Sequence, residues 1–244
     1  MKKYMITMAT AIIAVLQGCS FSENETQNES SGSKYYNICL VIDGTDRLSE
    51  QNGVPQVSVK EIEELARMLS HNGMGTLYVS YVDKDCDNNK VAVFEWNQVK
   101  PSETGRKPDY MKSKDFKKKK HENDSIINAY DTQLQIAIDR FGYECTSITE
   151  LAYSDFVAQQ RKGSDVNGAI NQAARMLQAS DCDSSLSYII TVSDGCDNVG
   201  KELNPLPESM ELLVVNSNVA KHQYGNLVSK EFVTLRQALI YIFK

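Results

Sequence analysis

The sequence is poor in histidine, in net positive charge and in long apolar runs. Its three histidines, His71, His121 and His222, stand far apart without the spacing of a histidine metal site. No Gly-x-Ser-x-Gly elbow, Walker loop or Cys-x-x-Cys pair occurs, so the common serine-hydrolase, nucleotide-loop and dithiol signatures are missing. Lys and Arg number 26 against 32 Asp and Glu, a net charge of −6 with a pI near 5.2. Broad nucleic-acid binding wants the opposite balance, and no nucleic-acid partner is expected. The apolar run from Met5 to Leu16 falls short of the roughly 18 residues that a spanning helix needs. What is present, 41% hydrophobic and 24% charged residues over 244, is ordinary globular composition. It excludes collagen-like, coiled-coil and wholly disordered chains, and suits one domain with an insertion or two small ones.

The N-terminus has the build of a targeting signal. Lys2 and Lys3 precede the apolar run, which closes with Leu16-Gln17-Gly18-Cys19. That ending resembles the lipobox of bacterial lipoproteins. The resemblance implies cleavage after residue 18 and a diacylglycerol on the Cys19 thiol. Removing both lysines and no acid takes the charge to −8. Residues 19–34 then read as a lipidated cysteine and a flexible tether, because SFSENETQNESSGS buries too little apolar area to offset its ordering entropy. Ser20 after the lipidated position, by the sorting rule of that family, implies the outer membrane rather than the inner.

From residue 35 to 244 strands and helices alternate. Ile38 to Ile42 is a continuous apolar run ending in Asp43-Gly44, as suits a strand buried on both faces. Ser58 and Glu61 form a capping box ahead of Ile62, Leu65, Ala66 and Leu69. Leu77 to Val82 and Val91 to Trp96 flank a polar turn and read as an antiparallel hairpin at the sheet edge. Val166, Ile170, Ala173, Ala174 and Leu177 share a helical face, Leu186 to Val192 is a strand ending in Asp194-Gly195, and Leu212 to Val215 is another. Thr234 and Gln237 form a second capping box before the last helix. The pattern predicts a three-layer, doubly wound α/β fold, its sheet mostly parallel with one antiparallel edge strand. Residues 97–160 read as a helical insertion, with a helix over Met111 to Phe141. Its run Lys117-Lys118-Lys119-Lys120 suits a solvated face, or contact with anionic headgroups beside the lipid anchor.

In open α/β sheets ligands bind beyond the carboxyl ends of the strands. Three segments bring oxygen ligands there: Asp43-Gly44-Thr45-Asp46-Arg47, Gly163-Ser164-Asp165 and Asp194-Gly195. Two carboxylates with two hydroxyls suit a hard cation such as Mg²⁺, which keeps several waters. Taken in order, these loops resemble the von Willebrand factor A domain and its metal-ion-dependent adhesion site. The resemblance implies Asp43, Thr45, Ser164 and Asp194 as ligands of Mg²⁺ or Mn²⁺. It further implies binding rather than turnover, an acidic side chain of a partner protein filling the open metal position. Arg47 stands where that family has a third hydroxyl, and a guanidinium only donates. It can turn to solvent and leave four ligand groups, or pair with Asp43 or Asp194 and replace the metal.

Other chemistry is thinner. Asp83, Asp85 and Asp87 alternate like an EF-hand opening, but Asn88 and Phe94 occupy the positions that need Gly and Glu. Five cysteines remain besides Cys19. Cys39 belongs to a buried strand, while Cys86, Cys145, Cys182 and Cys196 fall in loop-like places that allow up to two disulfides. The plain alternative for the site residues is structural, with the aspartates capping loops and Ser164 as a helix N-cap. The expected function is a non-enzymatic, lipid-anchored cell-envelope protein that binds an unidentified envelope or extracellular protein. A metal-dependent phosphoesterase on the same carboxylates, or a metal-free envelope scaffold, are the alternatives.

Overall fold

The computed structural model describes residues 34–44, 54–153, 163–180, 185–216, 224 and 227–244. Cys19, Thr45, Arg47 and Cys182 lie outside the described residues. Ser33–Lys244 forms one compact unit.

Among the described residues six strands and four α-helices follow in the order β1 (Tyr35–Ile42), α1 (Val59–Asn72), β2 (Met74–Tyr81), β3 (Ala92–Trp96), α2 (Ser113–Tyr153), α3 (Val166–Ala179), β4 (Ser185–Val192), β5 (Met210–Val215), β6 (Lys230–Phe232) and α4 (Leu235–Ile242). The sheet order is β3-β2-β1-β4-β5-β6. Every neighbouring pair is parallel except β2 with β3, the expected edge hairpin. Strand β1 sits in the middle because it is apolar on both sides. Ile38, Leu40 and Ile42 face one core with residues of α1, α2 and α4. Cys39 and Val41 face the other, with Val166, Ile170 and Leu177 of α3. Burying a side chain of this size stabilises by about 1.5–3 kcal/mol.

The helices start where the local chemistry directs. Ser58 Oγ accepts from the Glu61 N–H at 3.3 Å, and the Glu61 carboxylate accepts from the Ser58 N–H at 2.8 Å. Thr234 and Gln237 repeat the arrangement at α4.

Helix α2 runs on to Tyr153, past the expected helix end at Phe141, and its second half forms a wall of the main core. Tyr130, Leu134, Ile138, Phe141, Cys145, Ile148 and Ala152 are all buried there. The cysteines differ as well. Cys86 is buried in a short 3₁₀ turn after β2 and Cys145 inside α2, both as free thiols rather than in disulfide-ready loops.

Candidate metal centre

The chain order of the sheet reverses between β1 and β4. That is the switch point at which adjacent crossovers leave in opposite directions and open a crevice. Ile42 lies opposite Val192, so the residues that leave these strands emerge side by side. Asp43 extends the ladder by donating its N–H to the Val192 carbonyl at 3.0 Å. Its carboxylate is nearly buried, 7% exposed, and Oδ2 accepts the Ser193 hydroxyl at 2.6 Å. Ser193 Oγ in turn accepts the Gly195 N–H at 3.0 Å, while its carbonyl accepts Asn216 Nδ2 at the end of β5. Three strand ends are thereby tied together.

Asp194 follows at 8% exposure, and its Oδ1 accepts the Cys196 N–H at 2.9 Å. The chain turns away through Gly195, whose φ of 76° lies in the left-handed region that suits glycine. Asp194 has no ion pair among the described residues. Tyr224 links the two acids electrostatically. Its ring is buried and its hydroxyl lies 3.3 Å from Thr191 Oγ1. Burial pushes the phenol well above its usual range, and the charges of Asp43 and Asp194 push the same way against hydrogen bonds from Ser193 and Thr191. Both carboxylates therefore act on one buried hydroxyl.

Ser164 stands at the head of α3, 5% exposed. Its N–H donates to Asn198 Oδ1 at 2.7 Å and its carbonyl accepts the Asn198 N–H at 3.1 Å. Asp197 adds a bond from the Asn167 N–H at 2.9 Å. The strap after Asp194 thus carries Ser164 and the head of α3. Ser164 is not the N-cap; Asp165 is, accepting the Gly168 N–H at 2.9 Å. Asp165 is fully buried and takes Lys201 Nζ at 2.7 Å. That ammonium also reaches Asp87 at 3.3 Å and Asp85 at 3.6 Å, and the hydrogen bond to Asp165 is the first of the contacts holding it above its ordinary pKa. Asp85 and Asp87 of the failed EF-hand pattern therefore bind side-chain cations, with Arg175 on Asp87 as well.

Helix α2 packs against the start of the first loop at Gly44. Gly44 packs against its last turn so closely that a Cβ would stand 2.0 Å from the Ala152 carbonyl oxygen. The Tyr153 hydroxyl accepts the Val57 N–H at 2.7 Å, beyond the other end of that loop.

Asp43 and Asp194 are thus brought to one switch point and Ser164 is fastened to the strap that leaves it, while Thr45 and Arg47 lie outside the described residues. Among the described residues no three His, Cys, Asp or Glu side chains gather as a metal cluster. The donors on offer are two nearly buried carboxylates and hydroxyls. That set fits a hard cation, which uses one or two carboxylates and keeps waters, better than zinc, which prefers nitrogen and sulfur. Sequence reasoning missed Ser193, Tyr224 and Lys201. Only Ser193 was within reach of it, as the residue between an apolar strand and an Asp-Gly turn.

These features define an α/β protein with a mostly parallel six-stranded sheet and an acidic switch point. No protein-family model matches the chain, and a search of curated proteins finds no match.

Proposed function

We propose that this chain is a lipid-anchored cell-envelope binding module of the von Willebrand factor A type. Its switch-point site takes Mg²⁺ or Mn²⁺ through Asp43, Asp194, Ser164 and Thr45, and engages an acidic side chain of a partner protein. The observation that carries this reading is the pair of nearly buried carboxylates at adjacent strand ends, with Asp194 lacking any ion pair among the described residues. A buried carboxylate without a countercharge is costly, and a cation shared by both would offset that cost. When bound, the cation supplies a Lewis-acidic position for a carboxylate oxygen. The protein's own part is to aim the ligands: Ser193 fixes Asp43, the Cys196 N–H fixes Asp194, and Asn198 fixes the Ser164 backbone.

Thermal unfolding of the unit from Ser33 onward in EDTA, Mg²⁺, Mn²⁺ or Ca²⁺ tests the site. A cation at about 100 times its Kd stabilises by roughly 2.7 kcal/mol. For a domain of this size that is a rise of about 5–10 °C in Tm. The expected result is a rise with Mg²⁺ or Mn²⁺ that Asp194→Ala loses. No rise with any cation would sink the metal reading and leave the metal-free scaffold.

A further inference from the structure

Between Lys100 and Lys120 stand nine Lys and Arg against three Asp and Glu, +6 in a chain whose total is −6. The same stretch belongs to the part of the fold least involved in the core. Ahead of Tyr130 none of the α2 side chains is buried. That is about 25 Å of helix at 1.5 Å per residue. A helix that leaves the core with all its side chains at least partly exposed gains little from that core, which points to a contact outside the domain.

We propose that this basic spur is a membrane-contact surface that binds anionic phospholipid. The proposal stands apart from the metal reading and uses none of its residues. Three features carry it. Lys118 is the lysine of the run that finds a partner, Glu122 at 3.8 Å; Lys114, Lys117, Lys119 and Lys120 have no ion pair among the described residues. Residues 102–111 fold back on the helix, with Asn123 Nδ2 donating to the Ser102 carbonyl at 2.9 Å and Lys107 Nζ to the Met111 carbonyl at 3.0 Å. The fold-back borders an open cleft of about 500 Å³ that brings Arg106 and Lys119 together with Tyr110, Phe116 and the acids Glu103 and Glu122. Finally, apolar side chains stand out among the cations. Tyr110 is 87% exposed and Ile126 57%.

Basic side chains beside an exposed tyrosine and aliphatic side chain suit the boundary of an anionic bilayer. The ammonium groups meet phosphate there, and the aromatic ring sits at headgroup depth. A long soluble polyanion such as nucleic acid is less suited, because it offers no apolar phase for the exposed Tyr110 and Ile126 side chains to enter.

Vesicle sedimentation of the unit from Ser33 tests the proposal without any contribution from a lipid anchor. Vesicles of phosphatidylcholine alone are compared with vesicles containing phosphatidylglycerol, at 0.1 M and 0.5 M NaCl. The expected result is binding at least tenfold tighter to the anionic vesicles and lost at the higher salt. Replacing Lys117, Lys118, Lys119 and Lys120 together by alanine should weaken it at least tenfold. Tyr110→Ser should weaken vesicle binding severalfold while leaving any binding to soluble heparin unchanged. An unaltered Tm confirms that the variants fold, and the salt series on the unaltered chain stands by itself if one does not. Equal binding to both vesicle types, or a quadruple variant that binds like the parent, would overturn the proposal. So would capture of heparin without capture of vesicles, which would assign the spur to a soluble polyanion.

Discussion

At the head of α3 the Asp165 carboxylate is fully buried yet has Lys201 against one oxygen and the Gly168 N–H against the other. Lys201 holds that carboxylate and the β2–β3 turn at once, so its removal is felt in two places. Taking one partner from a buried ion pair costs about 3–5 kcal/mol. Lys201 keeps 37% of its side-chain surface in contact with solvent, which screens the pair. Lys201→Met should therefore cost about 1–3 kcal/mol in urea unfolding. The double variant with Asp165→Asn should regain part of that loss, since the stranded charge is gone. A single variant within about 0.5 kcal/mol of the parent would mean that solvent already serves Asp165. Such contacts are not legible in a sequence. Lys201 and Asp165 are far apart in the chain, and Tyr224 reaches Thr191 from an isolated polar stretch.

Among the elements, β1 and β4 are the most legible, because a continuous apolar run before Asp-Gly in β1 and a β-branched run just before Asp-Gly in β4 leave little choice for central parallel strands. Both capping boxes were legible too, each needing only two residues three apart. The edge hairpin is visible in the alternation of Ala92, Phe94 and Trp96, buried, with Val93 and Glu95, exposed. Helix α2 is where the pattern deceives. Its first half has no buried side chain and looks like an appendage, while Phe141, Cys145, Ile148 and Ala152 continue one helical stripe past the expected end. The closing turn of that stripe is where Gly44 rests. Gly44→Ala would place a methyl 2.0 Å from the Ala152 carbonyl oxygen, a backbone atom that moves only with the helix. The expected cost is about 1–3 kcal/mol in denaturant, with a weaker Mg²⁺ or Mn²⁺ response under the proposed function. Unchanged stability would show that the α2 terminus yields freely.

For the whole molecule, the α/β class and the mostly parallel sheet with one antiparallel edge are legible in the sequence. So is the meeting of Asp43 and Asp194 at adjacent strand ends, because strand ends gather wherever parallel strands adjoin, while the bonds that fasten Ser164 to Asn198 are not. The cysteine arithmetic failed since it could not tell a buried thiol from a loop thiol. Burial pushes Cys86 and Cys145 up to about 12 from an ordinary value of 9.0. The folded chain therefore keeps protons that the unfolded chain releases near pH 9. Their contribution to stability is complete below pH 9 and is lost as pH rises from 9 towards 12, by up to about 1.4 kcal/mol per pH unit for each thiol. A Tm series at pH 7.5, 9, 10 and 10.5 should fall above pH 9, less steeply in Cys145→Ala. A flat series would show the thiols hydrated.

One continuous helix carries both the spur and a wall of the main core, and its peptide hydrogen bonds cannot all open by the same route. Amide protons in the stretch before Tyr130 should exchange with solvent deuterium through fraying, which costs little where no side chain is buried. Those from Tyr130 to Ala152 must wait for the core to open. A deuterium-exchange profile along α2 should step sharply at Tyr130, dividing a single rod into a fast and a slow half.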